Sequence, residues 1–552
     1  MNLNPHLSRR VFTAGSLGAV GALLLASCAA SAEESDASGE PVQGGTLVYL
    51  EQQTFTNLYP PAAGFYPNGA VLNNIADRLV YQNPETLEFE PWVAASWEIN
   101  ADATEYTFVL RDGVTFSDGT PVDAAVVAKN FDLFGLGDSA RALTISEAIN
   151  NYASSEVVDA STVIFRFSSP APGFLQATST INSALVSDAT LDLDLEGFGA
   201  GAATTIIGSG PFTVTDEQLG TQLTLTARED YDWAPASMSH TGRARVDSVL
   251  IVVTPESAVR AGSLTSGQGD VARVIEPQDE SLVTGAGYTL DAPKTNGVNN
   301  ALNLRFRSVQ LSDIRVRQAI FAAVDREGVI SALFGENYKL ATSTIASTAV
   351  GYIDTSEYYA YDPDKATALL DEAGWLPGSD GIRVKDGVRL SVAAAEALAQ
   401  TRSFDTLTLI SQQLAEVGVE LTIVREGVGD YAVAILDADR VQINHSLVGR
   451  ADMDVIKSQY YSANRNIVLN LDRDDKSIGD PELDAVLLAV ASTPDPDARI
   501  LADQAAQKYI AEQAYVLPLY EDPQIYGIAP YIHDMSYESV ARPSFYQVWT
   551  SK

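Results

Sequence analysis

Apolar positions recur along this chain with two periods, and the places where one gives way to the other mark out its elements. In Tyr106-Thr107-Phe108-Val109-Leu110 the bulkiest apolar side chains alternate, which predicts a strand buried on one face. Asp112-Gly113 supplies a turn, after which Val114–Phe116 is expected to pair back. Similar runs at Thr46–Leu50, Val163–Phe167, Leu223–Thr226 and Val249–Val253 predict further strands. Asp118-Gly119 turns into Pro121–Asn130, a predicted helix with proline near its start.

Beyond Asn300 the period lengthens to that of a helix. Ser312 is placed to cap a helix whose Val316, Ile320 and Ala323 share a face. Asp362-Pro363 opens a second helix with Ala366, Leu369 and Leu370 inward and Gly374 at its end. A third stripe, Phe404, Leu407, Ile410, Leu414 and Val417, leads into the predicted strand Val419–Val424. These stripes read as core packing rather than as binding surfaces. No repeat of short period and no heptad run is present.

One apolar run follows neither period. Leu17–Leu25 comes after Ser8-Arg9-Arg10-Val11-Phe12-Thr13 and ends in Leu25-Ala26-Ser27-Cys28. A charged head, an apolar stretch too short to span a bilayer and small residues before a cut site predict a secretory signal over residues 1–28. The adjacent arginines ahead of Phe12 resemble a twin-arginine (Tat) signal. Leu-Ala-Ser-Cys resembles the lipobox of bacterial lipoproteins, in which the cysteine is acylated and becomes the first mature residue. Cys28 is the only cysteine of the chain, so no internal disulfide competes for it, and it is the expected lipid-attachment residue. Residues 29–41, rich in Ser, Ala, Glu and Asp, read as a flexible tether. The expected location is outside the cytoplasm, anchored to the outer face of the cytoplasmic membrane.

Composition narrows the partners. The 552 residues are 46% hydrophobic, enough for large cores in two to four domains, and no second apolar run approaches a membrane span. The net charge is −37, which excludes nucleic acid as a partner, because its phosphates are bound by basic patches. It also disfavours adsorption to anionic lipid, leaving the acyl chain as the expected membrane contact. Bulk acidity favours cationic or neutral ligands over anionic ones.

Catalytic chemistry finds little footing. There is no G-x-S-x-G elbow, and the one thiol is assigned to the anchor. Paired carboxylates could serve glycoside hydrolysis, but with 72 acidic residues such pairs arise by chance. The four histidines, His6, His240, His445 and His533, have no metal-ligand spacing. Gly208-Ser209-Gly210-Pro211 lacks the Lys-Ser/Thr of a phosphate loop. No enzymatic activity, cofactor or bound metal is therefore expected, and any ATP hydrolysis belongs to a partner.

Five blocks in order carry a family resemblance. Pro91-Trp92-Val93-Ala94-Ala95-Ser96-Trp97-Glu98 is followed by Tyr106–Pro121, then by Gly208-Ser209-Gly210-Pro211-Phe212. Asp313-Ile314-Arg315-Val316-Arg317-Gln318-Ala319-Ile320 with Val324-Asp325-Arg326, and Tyr361–Ala366 with Leu369–Trp375, complete the set. Together they resemble the family 5 extracellular solute-binding proteins, the peptide and nickel receptors of ABC importers. The motifs read as architectural: Arg315, Arg317 and Asp325 as structural ion pairs, Trp92 and Trp97 as core of the inserted domain. The resemblance implies an α/β, two-lobed periplasmic-binding-protein fold with mixed sheets flanked by helices and a hinge between the lobes. Lobe I is expected over 42–75, 206–295 and 506–552, an inserted extra domain over 76–205, and lobe II over 296–505.

The resemblance also implies where a solute would sit. In peptide-binding members an aspartate of lobe II receives the peptide ammonium, and Asp452 in Ser446–Asp454 is the best match, with Asp454 next. Arg450 is placed either to neutralise Asp452 or to hold a ligand carboxylate. The loop around Gly64, Phe65, Tyr66 and Asn68 matches one that lines the pocket in relatives. Arg402 lies a few residues beyond the position of a carboxylate-binding arginine. The expected function is capture of a small solute, with peptide as the leading class, and its delivery to an ABC permease and its ATPase by a monomeric receptor. Within that scaffold the alternative cargo is an opine-like compound, an oligosaccharide or a metal chelate; outside it, the alternative is a secreted hydrolase.

Overall fold

The computed structural model describes residues 40–398, 400, 402–469 and 479–552. The signal, lipid-attachment and most of the tether readings, Cys28 included, lie outside the described residues. From Pro41 to Lys552 the chain forms one compact unit.

That unit is built on two large mixed sheets. The first has seven strands in the order Thr289–Asp291, Tyr526–Ile528, Val271–Arg273, Thr46–Glu51, Ser248–Val253, Gln222–Ala227, Phe212–Gln218. Thr46–Glu51 is its parallel centre, paired with Ser248–Val253 and Val271–Arg273. The second has six strands in the order Lys339–Leu340, Val516–Glu521, Gly297–Leu304, Ile443–Gly449, Ser391–Ala395, Glu420–Val424. Gly297–Leu304 is buried at every position, as befits a strand packed on both faces. The chain crosses from the first sheet to the second through residues 292–296 and returns through 522–525.

Alternation is realised where it was read. Tyr106, Phe108 and Leu110 point inward while Val109 is exposed, and Val163, Phe165 and Phe167 do the same in the neighbouring strand. They belong to a four-stranded antiparallel sheet whose order is Ala94–Ile99, Glu105–Leu110, Thr162–Phe167, Tyr152–Val157. Phe108, Phe131, Phe165 and Phe174 meet edge-on or tilted at centroid distances of 4.7–6.4 Å, a geometry that aromatic rings favour. Trp92 is buried with Arg78 stacked on it at 4.4 Å, whereas Trp97 is half-buried against the same core.

Several expectations need correction. Val114–Phe116 does not pair back onto Tyr106–Leu110; it closes a small loop on itself, Phe116 N–H donating to Thr120 C=O and Val122 N–H to Val114 C=O. Pro121 lies in that loop, and the helix starts at Ala124 because the Asp123 carboxylate accepts from the Ala125 and Val126 N–H groups. Asp313, not Ser312, caps Ile314–Ala323 through Arg315 N–H. Of Arg315, Arg317 and Asp325, only Arg315 forms an ion pair among the described residues, with Asp313; buried Arg317 donates to the carbonyls of Gln513, Leu311 and Ser312, and Asp325 caps the next helix at Gly328 N–H. The boundary at 505 also moves. Helix Pro496–Glu512 packs with the second sheet's core, and Val516–Glu521 pairs with Gly297–Leu304, so the chain leaves that sheet only after Glu521.

The Gly-x-Gly-Pro block has a steric reason. A Cβ at Gly208 would lie 2.1 Å from the Ile75 carbonyl oxygen, and one at Gly210 2.5 Å from the Ile75 carbonyl carbon. Gly210 N–H donates to that carbonyl at 2.9 Å, so two backbones touch where the segment 76–205 begins, after helix Tyr66–Ile75, and ends, before strand Phe212–Gln218.

Candidate functional site

A cavity of about 730 Å³ opens between the ends of the two large sheets. Segments that follow directly on strands build much of it: Gln52 and Gln53 after Thr46–Glu51, Val274–Glu276 after Val271–Arg273, and Asp522–Ile525 after Val516–Glu521. Leu447–Arg450 and Gln400 face it from the second sheet, Thr144–Ala148 and Asn182 from the inserted segment. Strand ends of open α/β sheets are where ligands bind, since the fold places loops there from both sides.

Of the residues read from sequence, Gly64, Phe65, Tyr66 and Arg450 line this cavity. Phe65 precedes helix Tyr66–Ile75, whose early Pro67 suits a first turn. The Tyr66 hydroxyl donates to the Val540 carbonyl at 3.0 Å and meets Thr295 Oγ1 at 3.2 Å. Burial pushes that phenol up to about 12, against the pull of Arg542, so the hydroxyl stays neutral. Arg542 stacks on the Tyr66 ring at 5.2 Å and donates to the Gly64 carbonyl at 2.7 Å, which locks the loop.

Asn68, Asp452 and Arg402 stand back from the cavity. Asn68 is buried and its Oδ1 accepts from Thr56 N–H at 2.8 Å, shaping the preceding loop. Asp452 is bound by both terminal nitrogens of Arg499, at 2.5 and 3.1 Å. Burial alone would raise its carboxyl, but the Arg499 charge and hydrogen bonds bring it down to about 2. Arg450 therefore does not neutralise Asp452; it pairs with Asp454 at 2.6 Å and donates to Ser458 Oγ at 2.7 Å. Arg402 caps helix Ser403–Glu416 in a left-handed conformation, φ 63°, and reaches across to Glu276 at 2.9 Å and to Gln278. That pair ties the second sheet's side of the cavity to the first.

Other wall residues were not singled out from sequence. Arg273 is held bidentately by buried Glu51, with oxygens at 2.6–3.1 Å, and donates to Gln524 Oε1 at 2.8 Å. Gln400 is positioned by a buried relay: its Oε1 accepts from Asn300 Nδ2 at 2.6 Å, Asn300 Oδ1 meets His445 Nε2 at 2.6 Å, and His445 Nδ1 meets Ser403 Oγ at 2.9 Å. Burial pushes the His445 imidazole down to about 4, so it is neutral. Asp522 differs from the wall arginines and from Glu276. It forms no ion pair among the described residues, and burial, with Glu276 adding and Arg273 opposing, pushes its carboxyl up to about 7. For Arg273 and Asp522 the signal that could have found them is positional: a charged residue at the end of a strand.

Among the described residues no group of three or more His, Cys, Asp or Glu is arranged to hold a metal ion, and no helix is long and apolar enough to cross a membrane.

Two sheets joined by two short crossings, with a polar and aromatic cavity between them, define a two-lobed solute-binding protein. The chain belongs to the bacterial extracellular solute-binding proteins, family 5, whose middle-region model matches residues 88–453. It is 25% identical over 425 residues to the dipeptide-binding protein of Escherichia coli, covering 72% of this chain and 75% of that one. It is 24% identical over 413 residues to the glutathione-binding protein GsiB of Escherichia coli, covering 75% and 73%. The crystal structure of NikA from Brucella suis in complex with Fe(III)-EDTA superposes with a TM-score of 0.75 at 24% identity, over 91% of this chain and all of that one. These relatives are solute-binding proteins rather than enzymes, and the family's members serve as receptors of ABC importers.

Proposed function

We propose that the protein is a lipid-anchored receptor, attached through Cys28 after export, that captures a short peptide between its lobes and delivers it to an ABC permease and its ATPase. The observation that supports this reading best is the cavity itself. Its volume of about 730 Å³ falls within the usual range for small-molecule sites, roughly 300–1,000 Å³. Its walls offer side-chain amides at Gln52, Gln53, Gln400, Gln524 and Asn182, groups that match the donors and acceptors of a peptide backbone. The crossings at 292–296 and 522–525 suit a hinge that closes on the solute. Because Asp452 is consumed by Arg499, a solute other than a peptide is the second reading: an opine-like compound, oligosaccharide or metal chelate.

Native mass spectrometry of the full chain, followed by denaturation and identification of what is released, tests the cargo. A stoichiometric set of short peptides supports the reading; a single non-peptide species refutes the peptide class and leaves the receptor class standing. Anchoring is tested separately, by fractionation and acyl labelling: Cys28→Ser should lose the label and leave the membrane fraction.

A further inference from the structure

We infer that Asp522, in the segment where the chain recrosses between the sheets, is the cation-recognition residue of the cavity and that the ligand presents a protonated amine to it. This rests on the solute-receptor reading above and deepens it by naming the ligand's chemistry.

Four observations carry the inference. Asp522 lines the cavity, and its only hydrogen bond among the described residues is a long one, 3.4 Å from Gln524 Nε2. The arginines on the wall already have carboxylate partners: Arg273 has Glu51, Arg450 has Asp454 and Arg542 has Glu538. The wall carboxylate Glu276 is likewise paired, with Arg402. A carboxylate held in a confined site without a counter-charge is costly, and a bound cation removes that cost.

The second wall element is aromatic. Tyr338 and Tyr520 both face the cavity, with rings 5.7 Å apart and edge-on to each other. Asp522 lines the same cavity as both rings, and burial first, then the Asp522 charge, push both phenols well up, so the hydroxyls stay neutral. A carboxylate and aromatic rings lining one cavity are a composition that suits ammonium groups. A ligand carboxylate finds the opposite: an unpaired anion and arginines already neutralised. The chain's net charge of −37 draws cations toward the surface in the same sense.

A protonated amine can come from the free amino terminus of a peptide or from an aliphatic polyamine, and the experiment separates them. Binding to the full chain is measured by calorimetry at pH 7.5 for trialanine, N-acetyl-trialanine and spermidine, on the wild type and on Asp522→Asn. Asparagine keeps the shape and removes only the charge; matched circular dichroism and thermal midpoints verify folding, and Asp522→Glu restores the charge. The inference expects binding by trialanine or spermidine, none by the acetylated peptide, at least tenfold weaker binding to Asp522→Asn and partial rescue by Asp522→Glu. Equal binding of the acetylated peptide, equal binding to Asp522→Asn, or no binding by either amine overturns it. Spermidine binding that depends on Asp522, without trialanine binding, upholds the inference and refutes the peptide cargo. Trialanine binding indifferent to Asp522 does the reverse.

Discussion

Replacing Arg499 by methionine removes one member of a buried ion pair while keeping the length of its side chain. Arg499 and Asp452 meet at 2.5 Å with side-chain exposures of 6% and 10%, so neither charge can turn to water. Deleting one partner of such a pair costs about 3–5 kcal/mol, because the other charge is left buried and uncompensated. The pH dependence of the wild type follows the same pair. Burial raises the Asp452 carboxyl, Arg499 more than offsets it, and the result is a fall from 3.8 to about 2. A depressed carboxylate contributes stability above its unfolded value and loses it as pH falls toward the folded one. In Arg499→Met the main opposing charge is gone and burial is expected to hold the carboxyl above its ordinary value. The deficit should then be largest near neutrality and shrink as pH falls toward 4.5. Urea unfolding followed by tryptophan fluorescence at pH 7.5 and 4.5 reads both effects. The double variant Asp452→Asn/Arg499→Met should recover at least half of the loss. A loss below about 1 kcal/mol, or a double variant no more stable than the single one, would refute a pair that matters through charge burial.

Three further outcomes are expected. Gly208→Ala should destabilise by about 1–3 kcal/mol or prevent folding, because its Cβ would meet the Ile75 carbonyl oxygen at 2.1 Å; thermal unfolding checks it, and an unchanged midpoint contradicts it. His445 should stay neutral down to about pH 4 in histidine NMR titrations. Its folded value lies below the ordinary 6.5, so it should cost stability as pH falls from 6.5 toward 4, a slope that His445→Gln should lack. Glu276→Gln removes the ion pair with Arg402 across the cavity. The pair is part-exposed and screened, so the expected effect is a few-fold faster ligand release with unchanged folding, read by stopped-flow fluorescence.

Local pattern was legible over most of the chain. The alternation at Tyr106–Leu110 and the stripe Phe404–Val417 became a strand and the helix Ser403–Glu416, because one face of each must leave water whatever surrounds it. Asp362-Pro363 and Gly374 marked helix ends for equally local reasons, a side chain accepting Lys365 N–H and a residue at φ 83°. The five blocks identified the family, and their glycines and capping acids proved to serve backbone contacts. Element edges were less legible where two residues competed, as when Asp313 rather than Ser312 took the cap.

The cavity was only partly legible. The loop Gly64–Tyr66 and Arg450 were reached from sequence, but their partners were not, since Tyr66 is fixed by residues 229 and 474 positions away. Arg499 sits 47 residues from Asp452, and only the packed helix Pro496–Glu512 shows that this acid is already paired. Asp522 likewise reads in sequence as one acid among 72. Sequence by itself determined the periods and most helix ends, which depend on neighbours within a few residues, and the five blocks determined the scaffold. Tertiary structure alone decided which charges cancel each other and which face the cavity, because Coulomb and desolvation energies depend on distances in space rather than along the chain.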